Sequence, residues 1–132
     1  MTKRLIILLV LTVFIISATS AQGKELVRKF SGSRSTTTAE FKVRAPWLLD
    51  WWVNGDYPQM FGLEVSLINA KTGQHEGYVL KTKRQGSGVR LFDQSGRYRL
   101  KIDATMVNWK MKIEQLTRTE AEQYTPVDKT DR

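Results

Sequence analysis

The stretch SGRYRLKIDATMVNWKMKIEQ, residues 95–115, decides the fold class. Apolar and polar side chains alternate along it in two runs that are separated by a short break. The apolar members are Tyr98, Leu100, Ile102, Trp109, Met111 and Ile113. A period of two residues is typical of β-strands that bury one face and expose the other. The stretch therefore predicts two neighbouring strands, each with one face in the core.

A turn over residues 104–107 would join these two strands as a hairpin. Ile102 would then face Trp109, and all large apolar residues would lie on one side of the pair. The other side would carry a row of cations, which we call the basic ribbon. Its members are Arg97, Arg99, Lys101, Lys110 and Lys112. In this register Lys101 lies opposite Lys110 and Arg99 lies opposite Lys112. Such like-charge pairs destabilise a sheet slightly, so they favour a binding role for this face.

Shorter alternating runs fill the rest of the chain before residue 119. They cover residues 26–30, 36–43, 47–53, 61–67, 78–80 and 89–92. Clusters of Gly, Asn, Asp and Pro separate them at short intervals, as in all-β domains. The pattern predicts an all-β fold, an antiparallel β-sandwich that is jelly-roll-like and has about 7–8 strands.

The first 21 residues have the three-part layout of a secretory signal peptide. Lys3 and Arg4 precede an apolar run over residues 5–16, and small residues up to Ala21 provide a cleavage site. The run is too short for a spanning helix, and the alternative to a cleaved signal peptide is an uncleaved anchor at the membrane interface. We expect residues 22–118 to form the sandwich and residues 119–132 a polar C-terminal tail, in which 120–123 suit one helical turn. The predicted localisation is periplasmic or secreted.

Composition excludes several classes of protein. The chain has no Cys and one His, which removes disulfides, thiol catalysis and any site that needs two imidazoles. The formal net charge is +8 for 132 residues, which suits an acidic partner. Charged residues at 26% and aromatic residues at 10% indicate a folded domain and not a disordered chain.

The chain resembles small exported bacterial β-sandwich domains of unknown function, over most of residues 30–116. The matching positions are Gly32, Phe41, Val43, Trp47, Leu49, Trp51, Ser95, Gly96, Tyr98, Leu100, Ile102, Trp109, Met111 and Ile113. It is similar, more distantly, to the jelly-roll accessory domains of secreted peptidases. The resemblance implies a sandwich fold and an export route, and it brings no catalytic residue. Many members of that group are lipoproteins, whereas this chain lacks the Cys that anchors them.

The basic ribbon is the first candidate binding site. A row of exposed cations suits an anionic polymer, such as an acidic polysaccharide or lipopolysaccharide. Nucleic acid fits less well, because the chain is predicted to be exported and carries no nucleic-acid-binding motif. The alternative is a charged face that only keeps the protein soluble and blocks aggregation at sheet edges.

A second candidate is aromatic. In the run 47–53 the alternation places Trp47 and Trp51 in the core and leaves Trp52 on the outer face. Together with Tyr57 in the following loop, Trp52 suits stacking against a neutral carbohydrate. The alternative is that all these rings pack inside the protein.

Catalysis is the third possibility, through a carboxylate pair of Asp50 and Asp56. Asp50, Asn54 and Asp56 also offer oxygen ligands for calcium, but their spacing matches no known calcium motif. His75 lies in a polar loop and suits an ordinary surface residue. The sequence therefore predicts a non-enzymatic, envelope-associated binding module without a cofactor or metal.

Overall fold

A computed structural model describes residues 24–124 of the chain, and the predicted signal peptide lies outside these residues. They form nine strands and one short helix. The elements are β1 (Glu25–Gly32), β2 (Thr36–Thr37), β3 (Phe41–Val43), β4 (Trp47–Asn54), β5 (Gly62–Asn69), β6 (His75–Thr82), β7 (Gly86–Phe92), β8 (Gly96–Thr105), β9 (Asn108–Gln115) and α1 (Arg118–Glu122). The count exceeds the predicted 7–8 strands because residues 36–43 form two short strands instead of one.

The strands form two antiparallel sheets. Sheet A has the order β1-β9-β4-β7, and sheet B has the order β2-β8-β5-β6 with β3 also paired to β8. Within residues 24–124, only β5 and β6 are consecutive strands that pair with each other. All other pairs join strands that are not consecutive in the chain. The chain passes repeatedly from one sheet to the other. This is the strand order of a jelly roll, so the predicted all-β sandwich is confirmed.

Alternating apolar side chains from both sheets meet in one core. Trp47 of β4 is fully buried in this core, and its ring stacks on Phe92 with centroids 4.1 Å apart. Phe41 and Tyr98 contact the same ring at 5.8 Å. Aromatic pairs of this kind add about 0.5–1.5 kcal/mol each to the energy of burial. Trp47 is therefore part of an aromatic cluster within the core, on the side of β4 that the sequence predicts.

The predicted hairpin between β8 and β9 is wrong. The two strands belong to different sheets, since β8 pairs with β2, β3 and β5 while β9 pairs with β1 and β4. Their apolar faces meet across the core and not side by side. Alternation determines which side of a strand is buried, but it does not distinguish a hairpin from an arch between two sheets. Val107 in the connecting turn is buried, as an arch allows and a solvent-exposed hairpin turn does not.

The helix α1 covers one end of the outer face of sheet A. Thr117 caps it by accepting a hydrogen bond from the Glu120 amide, while the Glu120 carboxylate accepts one from the Thr117 amide. Leu48, which points out of the sheet, is buried beneath Leu116 and Ala121. Within residues 24–124, no helix is long and apolar enough to span a membrane.

Candidate functional site

The five residues of the predicted basic ribbon do not share a surface. Arg97, Arg99 and Lys101 lie on the outer face of sheet B, whereas Lys110 and Lys112 lie on the outer face of sheet A. The ribbon as one continuous binding face is therefore wrong. The physical reason is the arch at residues 106–107, which sends the two strands to opposite layers of the sandwich.

The cations on sheet B are held by contacts within the protein. A nitrogen of Arg97 lies 3.5 Å from a carboxylate oxygen of Glu40. Arg99 donates a hydrogen bond of 3.3 Å to the backbone carbonyl of Thr38. Each of these guanidinium groups thus has one contact within the protein. Lys101 is exposed and lies across from Ser66, in register on β5.

The outer face of sheet A combines the remaining two lysines with Trp52. In the strand register, Lys110 lies between Ser31 of β1 and Trp52 of β4. One row further along β9, Lys112 lies between Lys29 and Asp50. Two predicted features that looked unrelated, the exposed tryptophan and the lysines of β9, therefore form one surface. We call it the Trp52 face, consisting of Lys29, Trp52, Lys110 and Lys112.

Trp52 is accessible at the β4 side of this face. Its side chain is 38% exposed, and its neighbour in β7 is the small residue Ser87. The ammonium of Lys110 lies 5.1 Å from the centroid of the Trp52 ring, which is a cation–π contact. The aromatic surface and a positive charge are therefore adjacent, and both are available to a ligand.

Among the residues that the structure describes, the lysines of the Trp52 face form no ion pair. Two ion pairs join side chains within residues 24–124, and both lie on sheet B. The acidic residues nearest in register are Asp50, beside Lys112, and Glu114, two residues along β9. The side-chain hydrogen bond with Tyr124 raises the pKa of Lys24, and the carboxylates of Glu114 and Asp50 add to this effect. The carboxylates of Asp50 and Glu114 therefore interact with the Lys24 ammonium as well as lying near Lys112.

Lys29 is the member of the face that sequence reasoning missed. It belongs to the edge strand β1, whose register shifts between Leu26 and Arg28. This irregularity breaks the alternation that would have marked Lys29 as outward-facing. The position of Lys29 next to Lys112 therefore follows only from the strand pairing.

The other predicted site residues do not form a second site, although Asp50 lies beside Lys112 in register and Asn54 ends the same strand. Tyr57 is 57% exposed in the loop between β4 and β5, while Trp52 lies within β4. Asp50 and Asn54 are four residues apart in an extended strand, a separation of about 13 Å. That distance is too long for one calcium coordination sphere. His75 begins β6, where its ring contacts Tyr78 at 5.2 Å.

Within residues 24–124, no group of three or more His, Asp or Glu side chains is arranged to hold a metal ion. Comparisons of the chain with protein-family models and with curated proteins find no match. The geometry of the described residues is therefore the basis for a functional proposal.

Proposed function

We propose that this protein is an exported binding module that holds an acidic polysaccharide on the Trp52 face. One observation carries the proposal: an exposed tryptophan lies beside a lysine on a regular sheet, with the Lys110 ammonium 5.1 Å from its ring centroid. No catalytic role is assigned to any residue. Export is supported by the leader-like pattern of the first 21 residues.

The Trp52 ring would supply the contact with the sugar ring. Flat aromatic side chains bind amphipathic ligands through their apolar face, and a sugar presents such a face through its C–H groups. Ser31 and Ser87 lie in the same row as Lys110 and Trp52, so small side chains leave room for an extended chain there. The rigid sheet sets the direction in which that chain would run.

The lysines would supply the preference for acidic sugars. Lys110 and Lys112 follow each other at alternate positions of β9, and Lys29 lies across from Lys112. Alternate side chains along a strand are about 7 Å apart. Lys29 and Lys112 are cross-strand partners, with Cβ atoms about 4.5–5.5 Å apart. The three ammonium groups therefore form a compact cluster that can pair with carboxylates of one polymer. Since these groups are exposed, the binding should weaken as salt screens the charges.

Polygalacturonate, a polymer of acidic sugars, is the probe for the first experiment, and neutral dextran is its counterpart. We expect the wild-type protein to bind polygalacturonate and to lose affinity steeply with added salt. Trp52→Ala should lower the affinity roughly tenfold, in line with the value of one aromatic contact. Lys110→Gln combined with Lys112→Gln should weaken the binding and flatten its salt dependence.

Lys101→Gln is the matched control for the single variant Lys112→Gln, because each removes one positive charge and the two positions lie on opposite sheets. It should leave the affinity unchanged. Equal losses for Lys101→Gln and Lys112→Gln would mean that only the net charge matters, and the proposed site would be rejected. Salt-insensitive binding to dextran that needs Trp52 would instead establish the alternative, a neutral carbohydrate-binding module.

A further inference from the structure

Four connections meet at one end of the sandwich. The strand register places the end of β4 beside the start of β9, and the end of β8 beside the start of β5. It also brings the ends of β1 and β6 and the start of β7 to this end. We call this end the loop end; it consists of residues 33–35, 55–61, 83–85 and 106–107.

The loops of the loop end pack against one another. A Cβ atom added to Gly55 would lie 2.5 Å from the carbonyl oxygen of Met106, so the β4–β5 loop and the β8–β9 turn are in close contact. Ser35 accepts a hydrogen bond of 2.9 Å from the Ala104 amide. The Trp109 indole donates one of 3.2 Å to the carbonyl of Arg34. These contacts hold the loops of this end in fixed positions relative to one another.

Large apolar side chains project from this surface. Tyr57 is 57% exposed, Met60 is 61% exposed and Met106 is 44% exposed. Met106 also has a φ of 54°, a left-handed conformation that is strained for a residue with a side chain. Glycine would relieve this strain in a turn. An exposed methionine at a strained position indicates a role for its side chain outside the folded core.

Positively charged residues lie in the same loops as, or in loops next to, the exposed apolar side chains. Arg34, Lys83 and Arg84 belong to the loop end, against one acid, Asp56. The hydroxyl of Thr82 accepts a hydrogen bond of 3.1 Å from the Arg84 amide, which fixes the β6–β7 turn. Lys83 and Arg84 line a cavity of about 390 Å³ together with Gly55, Pro58, Phe61 and Gln85. Neither cation takes part in the ion pairs of the described residues.

We propose that the loop end docks onto the surface of an anionic lipid bilayer. Methionine and tyrosine side chains on projecting loops suit the boundary between headgroups and acyl chains, where apolar groups gain by leaving water. Cations beside them complement the lipid phosphates, each adding about a fivefold gain in affinity. This docking is independent of the Trp52 face, which lies on the side of sheet A.

The absence of Cys makes the orientation of the bound protein measurable. A fluorophore attached at Met60→Cys reports from the loop end. The same fluorophore at Tyr78→Cys reports from the outer face of sheet B. With vesicles of phosphatidylglycerol and phosphatidylcholine in equal parts, lipids that carry a quencher in their acyl chains should quench the label at position 60. The label at position 78 should stay unquenched. Vesicles of phosphatidylcholine alone should bind much more weakly.

Two variants test the groups that carry the proposal, in the same full-length chain. Lys83→Ser combined with Arg84→Ser should weaken binding to the anionic vesicles roughly 30-fold. Met106→Gly should weaken it roughly tenfold while preserving the fold, because glycine accepts the positive φ. Quenching that is equal at positions 60 and 78, or absent at position 60 in vesicle-bound protein, would overturn the proposal. So would vesicle binding that both variants leave unchanged.

Discussion

Arg90 of β7 donates a hydrogen bond of 2.9 Å to the carbonyl oxygen of Val79 in β6. The same guanidinium nitrogen donates to the carbonyl of Tyr78, also at 2.9 Å. Since β7 is an edge of sheet A and β6 an edge of sheet B, Arg90 joins the two sheets on one side of the sandwich. Arg90 is thus part of the scaffold as well as of the positively charged surface.

Replacing this arginine should loosen that side of the sandwich. We expect Arg90→Met to lower the free energy of unfolding by about 1.5–3 kcal/mol, because charge-assisted hydrogen bonds are lost. Arg90→Lys should recover only part of the loss, since lysine lacks the planar guanidinium. Urea denaturation followed by tryptophan fluorescence measures both. Arg28→Met, at an exposed position of the edge strand β1, is the control and should change stability little; equal losses at the two positions would contradict the bridging role.

Gly88 should tolerate no side chain. A Cβ atom there would lie 2.7 Å from the Trp51 ring, so Gly88→Ala should destabilise the protein by about 1–3 kcal/mol through overpacking. Gly62→Ala is the matched control, because the nearest atom would be 4.0 Å away. Thermal unfolding of the two variants should separate them clearly. A Gly88→Ala protein as stable as Gly62→Ala would show that the Trp51 ring can move aside.

Engineered cysteine pairs can test the arch between β8 and β9. Lys29→Cys with Lys112→Cys places two thiols at register neighbours, within the reach of a disulfide. Arg99→Cys with Lys112→Cys places them on outer faces of different sheets, which are about 10 Å apart at the backbone. Under mild oxidation we expect the first pair to form an intramolecular bond and the second to remain reduced, as judged by mass spectrometry. A disulfide in the second pair and none in the first would instead support a β8–β9 hairpin.

The stability of the protein should fall at alkaline pH through Tyr98. Burial raises the pKa of this tyrosine, and Glu76 adds a smaller electrostatic effect. The folded state therefore holds the phenol proton more tightly than the unfolded chain, whose tyrosine ionises near pH 10. The stability that comes from this difference is present below pH 10 and is lost as the pH rises through the higher folded pKa.

Comparison with Tyr98→Phe isolates this contribution, because all other titrating groups are shared. The wild-type advantage in unfolding free energy should shrink as the pH increases above about 10. Chemical denaturation at several pH values gives the difference directly. Parallel pH curves for the two proteins would mean that Tyr98 ionises equally easily in both states.

Some of the candidate site was visible in the sequence. The alternation in residues 47–53 correctly placed Trp47 and Val53 inside and Trp52 outside, because neighbours in a strand point to opposite faces. The same rule correctly identified Lys110 and Lys112 as exposed. The outward position of Lys29 was not predicted, because the irregular register of β1 interrupts the two-residue alternation.

The sequence by itself determined that the described chain is a β-sandwich and which side of each main strand faces the core, because burial follows a two-residue period that side chains alone reveal. Only the tertiary structure decided which strands are neighbours. The turn over residues 106–107 leads from sheet B to sheet A, so Arg99 and Lys112 lie on opposite sides of the molecule while Trp52 and Lys110 come together. Strand pairing depends on contacts far apart in the chain, which no local pattern records.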